Sequence, residues 1–162
     1  MSGMSYIIVR KKIEPYNRKI IMEGDKSLSI RWALMSSQSF TKCRSSNLLM
    51  SEDVINTLNC LKKLGVKIRL TKNFCEIVGV GLNGFNYKKK LLLYAGNSGT
   101  LSRLIMGLLV HAKNNIKLTG DKSLSKRDFF RVSKPLEKFG ARYFTNFGKL
   151  PIIIKGTNTP LP

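Results

Sequence analysis

The chain has 162 residues, 43% of them hydrophobic, which is enough for one ordinary domain but not for two large ones. Its formal net charge is +20, from 29 Lys and Arg against 9 Asp and Glu. This charge indicates an anionic partner such as nucleic acid, acidic lipid or a phosphorylated metabolite. A compositional bias toward Lys explains most surface lysines equally well. The three cysteines lack C-x-x-C spacing and indicate neither a disulfide framework nor a zinc site, and the single histidine excludes a His-centred triad within the chain.

Short apolar or β-branched runs, several of them bounded by Gly or Asn, predict strands along the chain. Between them, two stripes of apolar residues recur with helical spacing and are expected to face the core. The stripes consist of Leu101, Leu104, Ile105, Leu108 and Leu109, and of Leu28, Trp32 and Met35. The predicted strands cover residues 6–9, 19–22, 66–70, 74–80, 91–95, 116–119, 141–145 and 151–155.

The chain contains an internal repeat. Residues 53–68 align without a gap with residues 128–143, and residues 24–31 align with residues 96–103 at nearly the same offset. Two β-α-β-α-β units therefore account for most of the chain, which predicts alternating helices and short strands in α/β layers.

In the copies that begin at residues 53 and 128, each helix is expected to end at a glycine, Gly65 or Gly140, after which the chain turns directly into a strand. Pro135 breaks the symmetry, because a proline inside a helix should kink the second copy or displace its start.

A second internal similarity is a nearly exact repeat of eight residues. Residues 24–31, Gly-Asp-Lys-Ser-Leu-Ser-Ile-Arg, return at residues 120–127 with a single substitution, Ile30 to Lys126. Each copy offers a glycine, a lysine, two hydroxyls and an arginine where a helix is predicted to start, a combination suited to holding an anion. The spacing of the two copies is out of phase with the repeat, so the octapeptide is not the repeat unit.

The first copy has two interpretations. Lys26 and Arg31 bracket the first helical turn, and Ser27 either caps the helix or donates to a phosphate. In the structural alternative Ser27 caps, Asp25 stabilises the helix dipole and Arg31 is a solvated surface residue.

A glycine-rich loop, Gly-Asn-Ser-Gly-Thr at residues 96–100, follows a predicted strand and opens a predicted helix, with Arg103 off its apolar stripe. Glycines let backbone amides approach an anion, and a helix N-terminus favours negative charge. The alternative is an ordinary tight turn with Asn97 in a left-handed conformation. The loop is not a P-loop, since no G-x-x-x-x-G-K-[ST] occurs.

In their order along the chain, these motifs resemble the 5-enolpyruvylshikimate-3-phosphate synthase family. The sister enolpyruvyl transferase that acts on UDP-N-acetylglucosamine shares the architecture but not the Lys-Ser and Ser-Lys-Arg set. The resemblance covers residues 24–151 and is carried by residues 24–31, Asn-Leu-Leu (47–49), Ser-Glu-Asp-Val (51–54), Leu-Gly-Val (64–66), Gly-Asn-Ser-Gly-Thr (96–100) with Arg103, Leu-Thr-Gly-Asp (118–121) and Leu-Ser-Lys-Arg (124–127).

The resemblance implies a fold. Family members have two domains of inside-out α/β barrel type, each built from three βαβαββ units, and this chain contains about two units of one. We therefore expect residues 23–162 to form an incomplete N-terminal domain, and residues 1–22 to be the strand segment that in the family crosses from the other domain.

The resemblance also implies a reaction, transfer of the enolpyruvyl group of phosphoenolpyruvate to the 5-hydroxyl of shikimate 3-phosphate with release of phosphate, and it implies neither a metal nor an organic cofactor. Lys26, Ser27 and Arg31 match contacts to shikimate 3-phosphate. The residues that match contacts to phosphoenolpyruvate are Lys26, Asn97, Gly99 and Arg127. The catalytic residues are expected in the segments of family members that have no counterpart in this chain.

Three departures from the family pattern are Ile30, Trp32 and Asp128. Trp32 is expected to pack against the core. Asp128, beside Arg127, either weakens anion binding by partial neutralisation or caps the following helix.

We expect a cytoplasmic protein, because no apolar run approaches the roughly 18 residues of a membrane span and the cysteines suit a reducing compartment. Family members are usually monomeric, whereas edges left open by a missing third unit predict self-association of this chain. We expect no catalysis by the chain alone. Two alternatives stay open, a basic module that binds nucleic acid or another polyanion, and an inert truncated product.

Overall fold

The computed structural model describes residues 7–8, 10–12, 15, 17, 19–20 and 22–160. Helices and short strands alternate along the chain, as the repeat predicts. The helices are α1 (Lys26–Ser37), α2 (Glu52–Lys63), α3 (Gly99–Leu108) and α4 (Phe130–Glu137), with a short 3₁₀ helix at Leu124–Lys126. The strands are β1 (Lys42–Ser45), β2 (Lys67–Leu70), β3 (Cys75–Val78), β4 (Leu91–Tyr94), β5 (Ile116–Thr119), β6 (Arg142–Asn146) and β7 (Lys149–Lys155).

The strands form two sheets whose order repeats. One sheet has the order β1-β3-β2 and is antiparallel throughout; the other has the order β4-β5-β7-β6, in which only β4 and β5 run parallel. The order β5-β7-β6 reproduces β1-β3-β2, and the second unit reads β4-α3-β5-α4-β6-β7, a complete βαβαββ unit. Within the described residues the sheets do not close into a barrel, as expected for an incomplete inside-out barrel.

Six of the predicted strands are confirmed as β2 to β7; the ends of β5 are as predicted, and those of the others shift by at most two residues. The predictions at residues 6–9 and 19–22 extend outside the described residues, and the described positions within them are not in strands. The sequence does not predict β1, because Lys-Cys-Arg-Ser has no apolar alternation. It is a strand because it pairs with β3, from Lys42 opposite Val78 to Ser45 opposite Cys75.

The glycine helix ends are confirmed. Gly65 follows the C-cap of α2 with φ +89°, and Gly140 lies just beyond α4 with φ +96°. α4 begins at Phe130, later than its alignment with α2 requires, and Pro135 lies inside it. The proline therefore accompanies a displaced start, one of the two outcomes that the sequence predicts.

The predicted apolar face of α1 is wrong. Leu28 and Met35 are 67% and 71% exposed, and Trp32 is only partly buried against the core. The buried face consists mainly of small residues, which let α1 approach α2 closely; it is formed by Ser29, Ile30, Ala33, Leu34, Ser36 and Ser37. A hydropathy pattern selects large side chains and so misses this face.

The apolar face of α3 is confirmed in the main. Leu101, Ile105 and Leu109 are fully buried, while Leu104 is 39% exposed. Together with side chains from α2 and the inner face of the larger sheet they form one continuous core. No helix among the described residues is both long enough and apolar enough to cross a bilayer.

Candidate anion-binding site

Two parallel strands end side by side and position the glycine-rich loop. Tyr94 at the end of β4 lies opposite Thr119 at the end of β5, and the next residues continue the contact, since Ala95 N donates to Thr119 O at 2.9 Å. Asp121 N then donates to Gly96 O at 2.9 Å. The loops that follow β4 and β5 are thereby joined at one edge of the sheet, which is where ligands bind in open α/β sheets.

The left-handed residue in this loop is Gly96, with φ +57°. The alternative of a tight turn with Asn97 left-handed is therefore wrong, because the described non-glycine residues with positive φ are Asn83 and Phe147. A β-carbon on Gly120 would lie 2.8 Å from Gly96 O, so the close approach of the two loops requires glycine at that position.

The two octapeptides begin with the same turn. Asp25 accepts a hydrogen bond from Leu28 N at 2.7 Å, and Asp121 accepts one from Leu124 N at 2.6 Å. Asp25 is thus the residue that caps α1, and of the two interpretations of Ser27 the one in which it caps the helix is wrong.

The second copy does not start an α-helix. It forms the 3₁₀ helix and then extends at Arg127, with φ −77° and ψ 150°. Asp128 accepts a hydrogen bond from Phe130 N at 3.2 Å. The N-cap of α4 is Phe129, without a side-chain capping bond, so Asp128 lies one residue before the cap and contacts the first residue of the helix.

Three of the predicted phosphoenolpyruvate contacts meet directly. Arg127 Nη2 donates to Asn97 Oδ1 at 2.9 Å. A β-carbon on Gly99 would lie 2.8 Å from Arg127 Nη1 and 2.9 Å from Arg103 Nη1, so two guanidinium groups flank the first residue of α3. Ser98 caps this helix through its Oγ, which accepts from Leu101 N at 3.3 Å. A helix N-terminus and two adjacent cations make this edge strongly attractive to an anion.

Arg103 belongs to this site, although the sequence pattern assigns it no role. Its guanidinium lies over the ring of buried Phe129, 5.4 Å from the centroid, and its Nη2 makes only a long 3.5 Å contact to Asp128 O. Partial burial lowers the pKa of Arg103, and the charges of Arg131 and Arg127 lower it further, while Asp128 raises it. The available sequence signal is its position off the apolar stripe of α3, next to the glycine-rich loop.

The predicted shikimate 3-phosphate contacts form a separate group at the start of α1. Lys26 Nζ lies 3.2 Å from Asp53 Oδ2, and Arg31 Nη1 donates to Ser27 O at 3.1 Å. A cleft of about 420 Å³ adjoins this group and is lined by Glu23, Gly24, Asn47, Leu48, Leu49, Met50 and Ser51.

The first turns of α2 connect the two groups. Asp53 contacts Lys26, while a β-carbon on Gly96 would collide with the amide of Asn56 and lie 3.5 Å from Glu52 Oε1. The first turns of α2 therefore contact both Lys26 and the glycine-rich loop.

Unsatisfied polar atoms concentrate around this edge. Among the described residues, the buried side-chain atoms without a hydrogen-bond partner are Ser51 Oγ, Asn56 Nδ2 and Arg103 Nε. Ser51 precedes α2, Asn56 is against Gly96 and Arg103 is against Gly99. Buried polar groups are normally paired, so these orphans, two beside the glycine-rich loop and Ser51 in the cleft near Lys26, indicate surfaces that receive polar ligands. No three His, Cys, Asp or Glu side chains in the described part lie where they could hold a metal ion.

Comparisons with known proteins agree with one another. The family model described as EPSP synthase (3-phosphoshikimate 1-carboxyvinyltransferase) matches residues 10–161. The 3-phosphoshikimate 1-carboxyvinyltransferase of Ruthia magnifica subsp. Calyptogena magnifica is 46% identical over 134 residues, which are 82% of this chain and 30% of the relative. That of Vesicomyosocius okutanii is 44% identical over 158 residues, 96% of this chain and 35% of the relative.

A solved structure shows the same similarity. The EPSP synthase of Acinetobacter baumannii superposes with a TM-score of 0.78 at 35% identity, over 85% of this chain and 31% of that protein. The chain thus spans about a third of the length of the relatives that it matches.

Proposed function

The chain belongs to the EPSP synthase family, and we propose that it supplies one wall of the cleft in which an enolpyruvyl group passes from phosphoenolpyruvate to the 5-hydroxyl of shikimate 3-phosphate. In this reaction the hydroxyl oxygen bonds to C2 of phosphoenolpyruvate, the bond from C2 to the phosphate oxygen breaks, and phosphate and the hydroxyl proton leave. The product feeds chorismate and aromatic amino acid synthesis. The observation that carries the proposal is the pair of guanidinium groups, Arg103 and Arg127, flanking Gly99 at the start of α3.

The chemistry of the two substrates explains this arrangement. Both are multiply charged anions, and bringing them into contact costs electrostatic energy that fixed cations offset. A guanidinium presents parallel N–H donors that match a carboxylate or phosphate, and Arg127 is already oriented by Asn97. Phosphoenolpyruvate at Gly99 would be held by Arg127 and by the N-terminus of α3.

Shikimate 3-phosphate is assigned to Lys26, Ser27 and Arg31. Because Asp25 caps α1, the Ser27 hydroxyl is not needed for the cap and is available to a phosphate. Lys26 is 51% exposed and paired with Asp53, so its remaining N–H donors are available to both substrates.

Family resemblance assigns proton transfer to residues outside the third of the relatives that this chain spans, and the chain alone is therefore proposed to be inactive. Three free cysteines suit the cytoplasm.

The first test is ligand-dependent stability of the 162-residue chain. A ligand that binds only the folded state raises the melting temperature. We expect shikimate 3-phosphate to raise it and shikimate, which lacks the phosphate, to leave it unchanged. Lys26→Met should abolish the shift, whereas Lys62→Met, on an exposed face of α2, should retain it. An equal shift by inorganic phosphate and shikimate 3-phosphate would refute a specific site.

The second test concerns turnover. Residues 23–160 are placed in the Ruthia magnifica relative instead of its matching segment, and phosphate release is measured with both substrates. We expect activity that requires both, and none from the 162-residue chain alone. A folded chimera without turnover, or turnover by the chain alone, would contradict the proposal.

A further inference from the structure

A second basic surface lies at the opposite end of the larger sheet. It is a cleft of about 670 Å³ at the beginnings of β4 and β5, whereas the glycine-rich loop follows their ends. Its volume is in the range of small-molecule sites, roughly 300–1,000 Å³. The cleft is lined by Lys89, Lys90, Leu91, Leu92, Lys113, Asn114, Asn115, Lys117 and Ile153.

The floor of the cleft is a row across three strands. Leu92 of β4 is opposite Lys117 of β5, and Lys117 is opposite Ile153 of β7. Leu92 is 49% and Ile153 41% exposed, and the exposed side chain of Lys117 emerges between them. Directly opposite residues in a sheet are about 5 Å apart, which makes this row an apolar strip with one lysine at its centre.

The rim of the cleft is cationic and has no opposing carboxylate. The chain from residue 77 to residue 120 contains no Asp or Glu, and every lining residue except Ile153 comes from it. Among the described residues, ion pairs occur only between Lys26 and Asp53 and between Lys42 and Glu76. The four lining lysines therefore repel one another, and a multivalent anion would relieve that repulsion.

One side of the rim is held in place. The Tyr87 hydroxyl donates to Asn114 O and accepts from Asn114 N, both at 3.2 Å. This pair of bonds fixes the backbone of the α3–β5 loop that carries Lys113 and Asn115. The backbone that carries these two residues is thus already ordered, which reduces the entropy lost on binding.

We propose that this cleft binds a small multivalent phosphate ligand with a flat apolar portion, the chemistry of a nucleotide. The phosphates contact the rim lysines, and the flat portion lies on Leu92 and Ile153. The site shares no residue with the edge at Gly99, so nucleotide binding is independent of the proposed transferase function.

Calorimetric titration of the 162-residue chain tests this with three probes, ATP, tripolyphosphate and adenosine, at one fixed salt concentration and without divalent cations. We expect ATP to bind at least tenfold more tightly than adenosine and severalfold more tightly than tripolyphosphate. Lys113→Gln with Lys117→Gln should weaken ATP binding at least tenfold. The matched double variant, Lys62→Gln with Lys138→Gln, removes the same charge elsewhere and should change the affinity for ATP less than twofold.

Two further variants distinguish ATP bound in this cleft from ATP bound at the edge near Gly99. Ile153→Ser should bring the affinity for ATP down to that for tripolyphosphate, and Arg127→Gln should leave ATP binding unchanged. The proposal is overturned by equal losses in the two double variants, by a loss confined to Arg127→Gln, or by equal affinity of the unaltered chain for ATP and tripolyphosphate.

Discussion

Arg127 donates a 2.9 Å hydrogen bond to the side-chain oxygen of Asn97, across a separation of 30 residues. The bond fixes the guanidinium beside Gly99 before any ligand arrives. Arg127 itself lies in extended backbone, directly after the 3₁₀ helix.

The first prediction concerns this pair. In the chimera with the Ruthia magnifica relative, Arg127→Ala should raise the KM for phosphoenolpyruvate at least tenfold, because a hydrogen bond to a charged group contributes about 1.5–3 kcal/mol. Asn97→Ala leaves the charge but not its orientation, and should raise KM by a smaller factor. Arg131→Ala is the control for lost charge, and a KM increase equal to that of Arg127→Ala would remove the assignment.

The second prediction concerns Arg103, whose Nε is buried without a partner beside two other arginines. Arg103→Met keeps much of the packing on Phe129 and removes the repulsion. The melting temperature should stay the same or rise, while the affinity for phosphoenolpyruvate falls, because residues that serve a functional site often lower the stability of the fold. Thermal unfolding and KM are measured on the same chimera. A variant that loses stability and keeps its KM would show that Arg103 is only structural.

A third prediction compares two glycines. Gly65 has φ +89°, and a β-carbon there would collide with the backbone oxygen of Asn86, so Gly65→Ala should cost at least about 1–2 kcal/mol of unfolding free energy. Gly107 lies in α3, where a β-carbon would meet no other atom within 4 Å, and Gly107→Ala should stabilise by about 0.5–1 kcal/mol. Urea denaturation measures both, and changes of the same sign would be inconsistent with these backbone assignments.

A fourth prediction concerns alkaline pH. Burial raises the pKa of the Cys60 thiol from 9.0 to about 11, against the opposing effects of Lys63 and of the bond to Tyr94 O. Since the folded-state pKa is the higher one, the unfolded chain loses this proton first. The contribution to stability is complete below pH 9 and is lost as pH rises toward 11, by up to about 2–3 kcal/mol.

Cys60→Ser removes this ionisation and keeps a donor for Tyr94 O. Its unfolding free energy should fall less steeply between pH 9 and 11 than that of the unaltered chain. Cys43→Ser, at a half-exposed position, is the comparison. Identical slopes for the unaltered chain and Cys60→Ser would contradict the effect of burial.

Local signals explain what the sequence predicts well. Gly65 and Gly140 are predictable as helix ends because a left-handed residue after a helix favours glycine wherever it occurs. The bounds of β5 are predicted to the residue, from a β-branched run that ends at a glycine. The strand β1 is not predicted from the sequence, since its conformation depends on pairing with β3.

The second octapeptide shows the limit of such signals. Both copies make the same turn at their aspartate and then diverge, since the first continues as α1 and the second forms a 3₁₀ helix that ends at the one position where the copies differ. Ile30 is fully buried and anchors α1, whereas Lys126 is exposed and ends the 3₁₀ helix. Near identity of sequence therefore gives two different structures, and the differing side chain is buried in the copy that continues as an α-helix.

The candidate site is predictable only in part. Asn97, Gly99 and Arg127 do meet, but the position of Arg103 depends on Phe129 and on the fold around Gly99, which no local pattern contains.

The contact between the loops that follow β4 and β5 is made by main-chain atoms, the Asp121 N–H and the Gly96 carbonyl. Every residue except proline has the same main-chain donor and acceptor, so most side-chain changes on either loop leave this bond in place. The contact is vulnerable to proline at position 121, which lacks the N–H, and to the gain of a β-carbon at Gly96 or Gly120. Mutational scanning of both loops, read out as folding stability and not as activity, should therefore show its largest losses at these two glycines and for proline at position 121.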